Sequence, residues 1–302
     1  MISSRRTFLK KSVTALAGST VISNSLFAFI KKKEIVGIQL YSVRDEMKIE
    51  PLGTLKQLAE IGYQYVEHAN YVDRKFYGYS AVEFKKVLSD LGMKMPSGHT
   101  VMKRQHWDET QKDFTNEWKY TVEDAATIGQ QYVISPSMEE GFKANYDDLK
   151  KFMDVFNRCG ELCKKSGMQF GYHNHDFEFS HKLNGRSMYD IILESTDPKL
   201  VIQQLDTGNL FNGGATALDI VTRFPGRFMS MHVKDELPSS NSKEKYESTL
   251  LGTGIAQVKK VIDIGRKSGG TIHFIIEQEA YQGKSPIVCA KENLAQMKSW
   301  GY

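Results

Sequence analysis

Four side chains of the types that bind metal ions follow four short apolar runs in the second half of the chain. His173, Asp206, His232 and Glu277 each stand at the downstream end of such a run. Two imidazoles and two carboxylates make a mixed nitrogen and oxygen donor set suited to Mn²⁺, Co²⁺, Zn²⁺ or Fe²⁺. If the runs are parallel strands of one barrel, the four groups converge at its mouth. We therefore predict one divalent metal ion bound by these four residues.

Eight short apolar runs alternate with longer amphipathic ones after residue 33. The runs predicted as strands are 35–41, 64–67, 94–99, 132–135, 168–173, 201–206, 228–234 and 272–277. Several helical patterns between them stop at a glycine, such as Gly62 and Gly129, which is the usual left-handed helix terminator. The count predicts an α/β protein with a single (β/α)8 TIM barrel over residues 34–302, rather than an open doubly wound sheet. A polar insertion at 236–248 predicts a mobile loop over the mouth.

Polar residues also end the first three predicted strands, at Gln39, Glu67 and His99. A buried polar group without a partner is costly, so these positions indicate function or a hydrogen-bonded interior. Aromatic residues crowd the loops after strands two and three, and Trp107 is one of them. Such rings either stack on a sugar face or pack a loop onto the rim.

Residues that follow the predicted ligands offer further chemistry. We expect the fifth strand to end at His173, which places His173 on the metal and His175 beside it or on the substrate. Lys234 and Asp235 follow His232, and they belong either to the site or to a surface ion pair of little energetic consequence.

The first 33 residues have the layout of an export signal. Residues 4–10 read Ser-Arg-Arg-Thr-Phe-Leu-Lys, and a mildly apolar stretch follows. We predict a twin-arginine signal peptide and short linker over 1–33, hence a partnership with the twin-arginine export machinery and a periplasmic location. An amphipathic helix with two arginines by chance is the alternative. Small and polar residues interrupt the stretch, so no stable membrane anchor is expected.

The charge distribution argues against nucleic acid as a partner. The formal net charge is +4, yet residues 1–33 hold seven Lys and Arg and no acid. Subtracting these seven leaves −3 for residues 34–302, so the basic character belongs to the predicted signal. A domain near neutrality lacks the basic surface that phosphate binding needs. Three cysteines are too few for a disulfide framework.

Several motifs resemble the xylose isomerase-like TIM-barrel superfamily, the sugar phosphate isomerase/epimerase group that includes inosose dehydratase and endonuclease IV. The resemblance covers residues 34–302 and rests on the segments 37–45, 170–179, 232–235 and 277–278. In that family one divalent metal is held by Glu, Asp, His and Glu from strands five to eight. Asp206, His232 and Glu277 match this pattern, whereas His173 stands where many members have Glu.

This departure bears on the expected reaction. Epimerases of the family resemble two-base enzymes that use two metal-bound Glu, and here only Glu277 remains. One base suits removal of a proton α to a metal-polarised carbonyl through a metal-bound enediolate, followed by β-elimination or hydration. Inosose dehydratase, with a His-rich strand-five end, and similar exported proteins that act on 3-keto-glycosides are associated with such chemistry.

The resemblance implies a metal-dependent lyase or hydratase acting on a keto-sugar or keto-glycoside. Glu277, or else Glu67 from across the barrel, would be the base, and His175 or Lys234 would assist the leaving oxygen. Gln39, His99, Asp235 and Trp107 would bind the carbohydrate. A sugar isomerase or epimerase is the first alternative, and a non-catalytic periplasmic sugar-binding barrel is the second.

Overall fold

The structure is a computed structural model that describes residues 33–240 and 244–302. The predicted export signal lies outside these ranges except for its last residue, Lys33. Residues 34–302 are built on a closed barrel of eight parallel strands, in which the first strand pairs with both the second and the last. This confirms the predicted TIM barrel. The strands, β1 to β8, are Ile35–Gln39, Tyr65–His68, Lys94–His99, Tyr132–Ser135, Gln169–His173, Val201–Asp206, Ser230–Val233 and His273–Ile276.

Helices cover the outside of the barrel and bury one face against it. The longest buries Phe152, Phe156 and Cys163 at helical spacing, and each such phenylalanine contributes about 1.5–3 kcal/mol. Gly62 and Gly129 end their helices at φ 112° and 97°, as the sequence predicted. The helices, α1 to α11, are Arg44–Ile49, Pro51–Ile61, Ala81–Asp90, Asn116–Ile128, Tyr146–Lys165, Phe177–Ser180, Met188–Ser195, Thr207–Asn212, Ala217–Arg223, Val258–Ile264 and Pro286–Ser299.

The interior of the barrel changes from apolar to polar along the strands. Because side chains alternate along a strand, β6 sends Ile202, Gln204 and Asp206 inward, while Val201 and Leu205 join the apolar layer under the helices. Ile202 packs with Tyr132 and other apolar residues. The inward positions further along β6 are polar and lie in the half of the barrel that leads to the mouth.

The loops that follow several barrel strands contain short pairs of antiparallel strands. One joins Asp235–Pro238 to Tyr246–Thr249 directly after β7. The segment 236–248, predicted as a mobile loop, therefore contains two paired strands. Among the described residues, no helix is both long and apolar enough to cross a membrane.

Candidate metal centre and active site

The ends of β5 to β8 bring the four predicted metal ligands together. His232 Nδ1 lies 3.1 Å from Glu277 Oε2 and 3.8 Å from Asp206 Oδ2. His173 Nε2 lies 4.0 Å from the same Asp206 oxygen. All four side chains are buried. Residues that are distant in sequence thus form one cluster, here called the ligand cluster.

Hydrogen bonds orient both imidazoles of the ligand cluster. His173 Nδ1 contacts Gln204 Oε1 at 3.1 Å, and His232 Nε2 contacts Glu67 Oε1 at 2.5 Å. With a metal ion bound, each contact would keep the N–H on the nitrogen that faces the acceptor and would leave His173 Nε2 and His232 Nδ1 free to bind the ion. Partners of this kind fix the tautomer and orientation of metal-binding histidines.

The ligand cluster fits a divalent ion in donor type and in spacing. Donors around a tetrahedral ion lie about 3.4 Å apart when each bond is about 2.1 Å long, close to the distances between these atoms. Asp206 Oδ2 forms an ion pair with Lys234 at 3.2 Å but receives no hydrogen bond from any described residue. Burial lowers the pKa of His232, but Glu277 and Glu67 outweigh it and raise that pKa to about 10. The position between these groups therefore favours positive charge, and the four residues could hold a metal.

Lys234 supplies a buried cation beside the ligand cluster. Its Nζ lies 3.2 Å from Asp206 Oδ2, 3.3 Å from Glu277 Oε2 and 3.0 Å from Glu279 Oε1. Burial lowers its pKa, but these carboxylates outweigh burial and hold the pKa well above its usual value, so Lys234 stays charged. A Cβ on Gly208 would lie 3.0 Å from the Lys234 side chain, so this glycine leaves room for it.

Glu67 lies at the centre of a polar layer in the barrel interior. Its Oε1 accepts hydrogen bonds from Gln39 Nε2 (2.8 Å) and His232 Nε2. Its Oε2 accepts from Ser97 Oγ (2.5 Å) and Gln204 Nε2 (2.9 Å). Burial alone would raise the pKa of Glu67, but His99, His232 and the hydrogen bonds lower it to about 2. Glu67 is therefore an ionised acceptor that fixes four donors, His232 among them.

His99 belongs to the same network. Its Nε2 lies 2.7 Å from Gln204 Oε1 and 3.2 Å from Glu67 Oε1, and its ring stacks on His232 with centroids 4.9 Å apart. Burial lowers the pKa of His99, so its ring is neutral at pH 7. His99 lies near enough to His173 and His232 to form a second possible metal-binding group.

The loop after β5 is held by buried polar contacts. Glu178 accepts a hydrogen bond from the backbone N–H of His175 (2.8 Å) and one from the Tyr172 hydroxyl (2.5 Å). Burial raises the pKa of Glu178 to about 7. Burial and Lys234 lower the pKa of His175 to about 4. His175 is thus neutral at pH 7, and its Nδ1 meets no hydrogen-bond partner among the described residues.

A cavity of about 1190 Å³ opens above the strand ends. Five of the predicted site residues line it: His99, His173, His175, Lys234 and Glu277. The cavity continues across the mouth to the loop after β2 and to α4. The structure thus joins the ligand cluster to a space large enough for an organic substrate.

Three other predicted residues are placed differently. Gln39 is fully buried below the mouth, where it donates to Glu67. Asp235 turns away from the cavity and accepts hydrogen bonds from backbone N–H groups of Glu236, Gly252, Gly254 and Ala256. Trp107 lies beside a separate surface groove, where the guanidinium of Arg158 covers its ring. None of the three contacts the cavity, so the structure offers no support for their predicted sugar-binding roles.

Several residues of the site were missed by the reading of the sequence. Gln204 bridges His99, His173, Glu67 and Ser230, and Ser97 supports Glu67. The position of Gln204 two residues before Asp206, on the same face of one strand, was the available signal. Ser97 carried no such signal, because a serine in a strand is usually unremarkable.

A closed parallel barrel with a buried mixed nitrogen and oxygen cluster at its mouth defines the class of α/β-barrel proteins whose function lies at the downstream strand ends. The family model described as xylose isomerase-like TIM barrel matches residues 55–300. The chain therefore belongs to this family.

Curated relatives include inosose dehydratases. The protein of Geobacillus thermodenitrificans is 28% identical over 139 residues, which are 42% of this chain and 46% of the relative. That of Clostridium beijerinckii is 24% identical over 191 residues, 59% and 62% of the two chains. The chain thus spans about half the length of these relatives.

Solved structures share the fold at low sequence identity. A sugar phosphate isomerase/epimerase from Parabacteroides distasonis has a TM-score of 0.73 and 23% identity, and the match covers 89% of this chain and 95% of that one. The IOLI protein with a bound zinc atom has a TM-score of 0.68 and 14% identity, with 88% and 99% covered. A probable 3-DHS dehydratase, AsbF, from Bacillus anthracis has a TM-score of 0.65 and 13% identity, with 87% and 98% covered. These similarities show a shared fold.

Proposed function

We propose that the protein is a divalent-metal-dependent enzyme that removes a proton α to the ketone of a keto-glycoside and then eliminates or hydrates. The observation that carries the proposal is the composition of the ligand cluster at the cavity. Of its two carboxylates, Glu277 lines the cavity, while Asp206 uses its Oδ1 to accept the N–H of Asn209 at the start of α8. His173 takes the place of a second glutamate, so the cluster presents one base to the substrate.

His173, Asp206, His232 and Glu277 would hold the metal ion. A divalent cation supplies Lewis acidity, which polarises a ketone and makes the neighbouring C–H more acidic. Burial would raise the pKa of Glu277, but His232 and Lys234 keep that pKa well below its usual value. Glu277 is therefore ionised but a weak base, which suits a proton that has been acidified in this way.

The remaining groups of the cavity complete the reaction. With a ketone at C3, Glu277 takes the C2 proton and the C–H electron pair forms the C1=C2 double bond. The C1–O bond breaks, and its electron pair leaves on the glycosidic oxygen. An alkoxide is a stronger base than an amine, so the Lys234 ammonium can protonate it. Water added across C1=C2 gives the hydrated sugar. His99 and His175, both neutral, are placed to bind hydroxyl groups.

Glu67, which the sequence offered as an alternative base, is instead proposed to position His232. It lies beneath the cavity lining, and its two oxygens face the interior donors described above. A base must reach the proton that it removes, so geometry favours Glu277.

The names of relatives support elimination, since inosose dehydratases and a probable 3-DHS dehydratase are among them. An isomerase or epimerase is the second candidate, because a solved L-ribulose 3-epimerase shares the fold with a TM-score of 0.66. Only one carboxylate of the ligand cluster, Glu277, lines the cavity, and this favours elimination over proton exchange between two metal-bound bases.

The test combines metal removal with a keto-glycoside assay. Chelator-treated protein is assayed with methyl 3-keto-glucoside for methanol release, then supplied with Mn²⁺, Co²⁺, Zn²⁺ or Fe²⁺. We expect activity to be lost and then restored by at least one ion. Undiminished turnover after complete demetallation would refute the proposal. Deuterium exchange without loss of methanol would indicate an epimerase or isomerase. Sugar binding without turnover, unchanged by His232→Ala, would indicate a non-catalytic barrel.

The proposal includes export by the twin-arginine route to the periplasm. It rests on the Arg5-Arg6 pair and the stretch after it. Replacing Arg5 and Arg6 by lysine preserves charge and should retain the protein in the cytoplasm, whereas arginine at Lys10 and Lys11 should not. Equal fractionation of the two variants would contradict export by this route.

A further inference from the structure

The cavity is larger than a single sugar ring requires. Its volume of about 1190 Å³ exceeds the ~300–1,000 Å³ typical of pockets for drug-sized ligands. The ligand cluster occupies the side of the mouth formed by β5 to β8. The opposite side is formed by the loop after β2 and by α4, which follows β3. A ring bound over Glu277 would therefore leave this opposite side unfilled.

The opposite side carries exposed apolar and aromatic surface. Of the eight large apolar or aromatic side chains most exposed in the described ranges, three line this cavity: Tyr41 (42%), Val72 (58%) and Tyr120 (41%). Tyr71 also lines the cavity, and its hydroxyl lies 3.4 Å from the backbone oxygen of Tyr120. Tyr71, Val72 and Tyr120 are called the aromatic wall. Exposed rings in a polar cleft are suited to the apolar face of a bound ring.

The aromatic wall is held in place before any ligand binds. The Tyr71 hydroxyl donates to Asp124 Oδ2 at 2.6 Å, and Arg74 binds both oxygens of Asp124 at 3.0 and 2.7 Å. The Arg74 guanidinium also lies 4.2 Å from the centre of the Tyr120 ring. Because this network fixes the rings, stacking on them costs little ordering of side chains.

The charges of the cavity argue against a phosphorylated substrate. Among the described residues, the lining holds three cations, Arg74, Lys103 and Lys234, and four acids, Asp73, Glu117, Glu277 and Glu279. Carboxylates already bind Arg74 and Lys234, so Lys103 is the one cation of the lining without an ion pair among the described residues. A phosphate group would need free cations, preferably a bidentate arginine.

We propose that the substrate is a neutral glycoside of two rings, whose keto-sugar lies over the ligand cluster and whose second ring stacks on the aromatic wall. The second ring can be a pyranose or an aryl group, since either presents an apolar face. This inference rests on the proposed function for the identity of the first ring.

Binding of unreactive sugars tests the inference apart from catalysis. The probes are methyl glucoside, cellobiose, phenyl glucoside and glucose 6-phosphate, titrated by calorimetry. We expect cellobiose or phenyl glucoside to bind at least about fivefold more tightly than methyl glucoside, and glucose 6-phosphate to bind no better than methyl glucoside. Whichever of cellobiose and phenyl glucoside binds more tightly identifies the second ring as a pyranose or an aryl group. Equal affinity for one-ring and two-ring sugars, or preference for the phosphate, would overturn the proposal.

Variants locate the second ring. Tyr120→Ala should reduce the preference for two rings by roughly two- to tenfold, the range expected for one ring contact. Val72→Ala should reduce it less. Leu218→Ala, at a side chain that is 60% exposed outside the cavity lining, is the matched control. An unchanged preference in Tyr120→Ala would refute the role of the wall. If the binding order holds while keto-glycosides are not turned over, the proposed function fails and the second-ring site stands.

Discussion

Replacing Glu67 by glutamine tests whether Glu67 positions other residues or acts as the catalytic base. The carboxylate accepts four hydrogen bonds from buried donors, two at each oxygen. Glutamine has one acceptor oxygen, so its NH2 group must face donors on one side. One or two buried donors then lose their acceptor, at about 1–3 kcal/mol each. We expect the free energy of unfolding to fall by about 2–4 kcal/mol.

The same replacement weakens the support of His232. Its Nε2 would face a neutral amide instead of a carboxylate, and charge-assisted hydrogen bonds are about twice as strong as neutral ones. Changing such a supporting partner typically costs 10–100-fold in metal affinity, or about 1.4–2.7 kcal/mol. Glu67→Gln should therefore bind Zn²⁺ or Mn²⁺ about 10–100-fold more weakly than the parent.

Competition with a fluorescent chelator measures this affinity, and circular dichroism confirms the fold. Glu161→Gln, on the exposed face of α5, is the matched control. Should Glu67→Gln fail to fold, Ser97→Ala removes a single hydrogen bond to Glu67 and should weaken metal binding less. If the metal affinity of Glu67→Gln stays within twofold of the parent while turnover falls by orders of magnitude, Glu67 is a base and the positioning argument is wrong.

Three further predictions concern stability. The folded pKa of Glu178 is about 7, above its usual 4.5; the folded state therefore binds the extra proton, and stability falls as pH rises from 4.5 to 7. Between pH 5 and pH 8, the free energy of unfolding of Glu178→Gln, measured in urea, should rise by up to about 3 kcal/mol relative to that of the parent. A difference in unfolding free energy that does not change with pH would contradict this. Asp235→Ala should lower the melting temperature, because the backbone donors at Gly252 and Gly254 lose their acceptor. Weaker sugar binding without a change in melting temperature would instead support the sugar-binding role that the sequence predicted for Asp235. In Gly98→Ala a Cβ would lie 1.9 Å from the His68 ring, so we expect loss of about 3 kcal/mol or more, and a normal yield with an unchanged melting temperature would refute the contact.

The strand and helix pattern was predictable because it depends on local periodicity. Apolar runs of strand length, such as the one before Asp206, and glycine stops such as Gly129 require no knowledge of partners. Eight strand–helix units match the (β/α)8 barrel in number, so the count favoured a closed barrel over an open doubly wound sheet. The convergence of His173, His232 and Glu277 follows from that closure.

The placement of individual polar side chains was decided by tertiary contacts. Glu67 and Glu277 both end barrel strands, and the sequence left either as the base. The register between β2 and its neighbours helps to bring Glu67 within hydrogen-bond distance of His232. Likewise, Asp235 lies only three residues after His232 in the sequence. Its carboxylate nevertheless accepts hydrogen bonds from the backbone N–H groups of Gly252 and Gly254 instead of facing the cavity.

The sequence by itself determined the barrel, the end of it at which the ligand cluster lies and the four donor types, because strand direction and period are local properties. Only the tertiary structure decided which polar residues face the cavity. The sequence indicated Trp107 for sugar binding and did not single out Tyr120, but the fold places Trp107 beside a separate groove and Tyr120 at the mouth. Loop geometry is set by packing between segments far apart in sequence, and no local pattern encodes it.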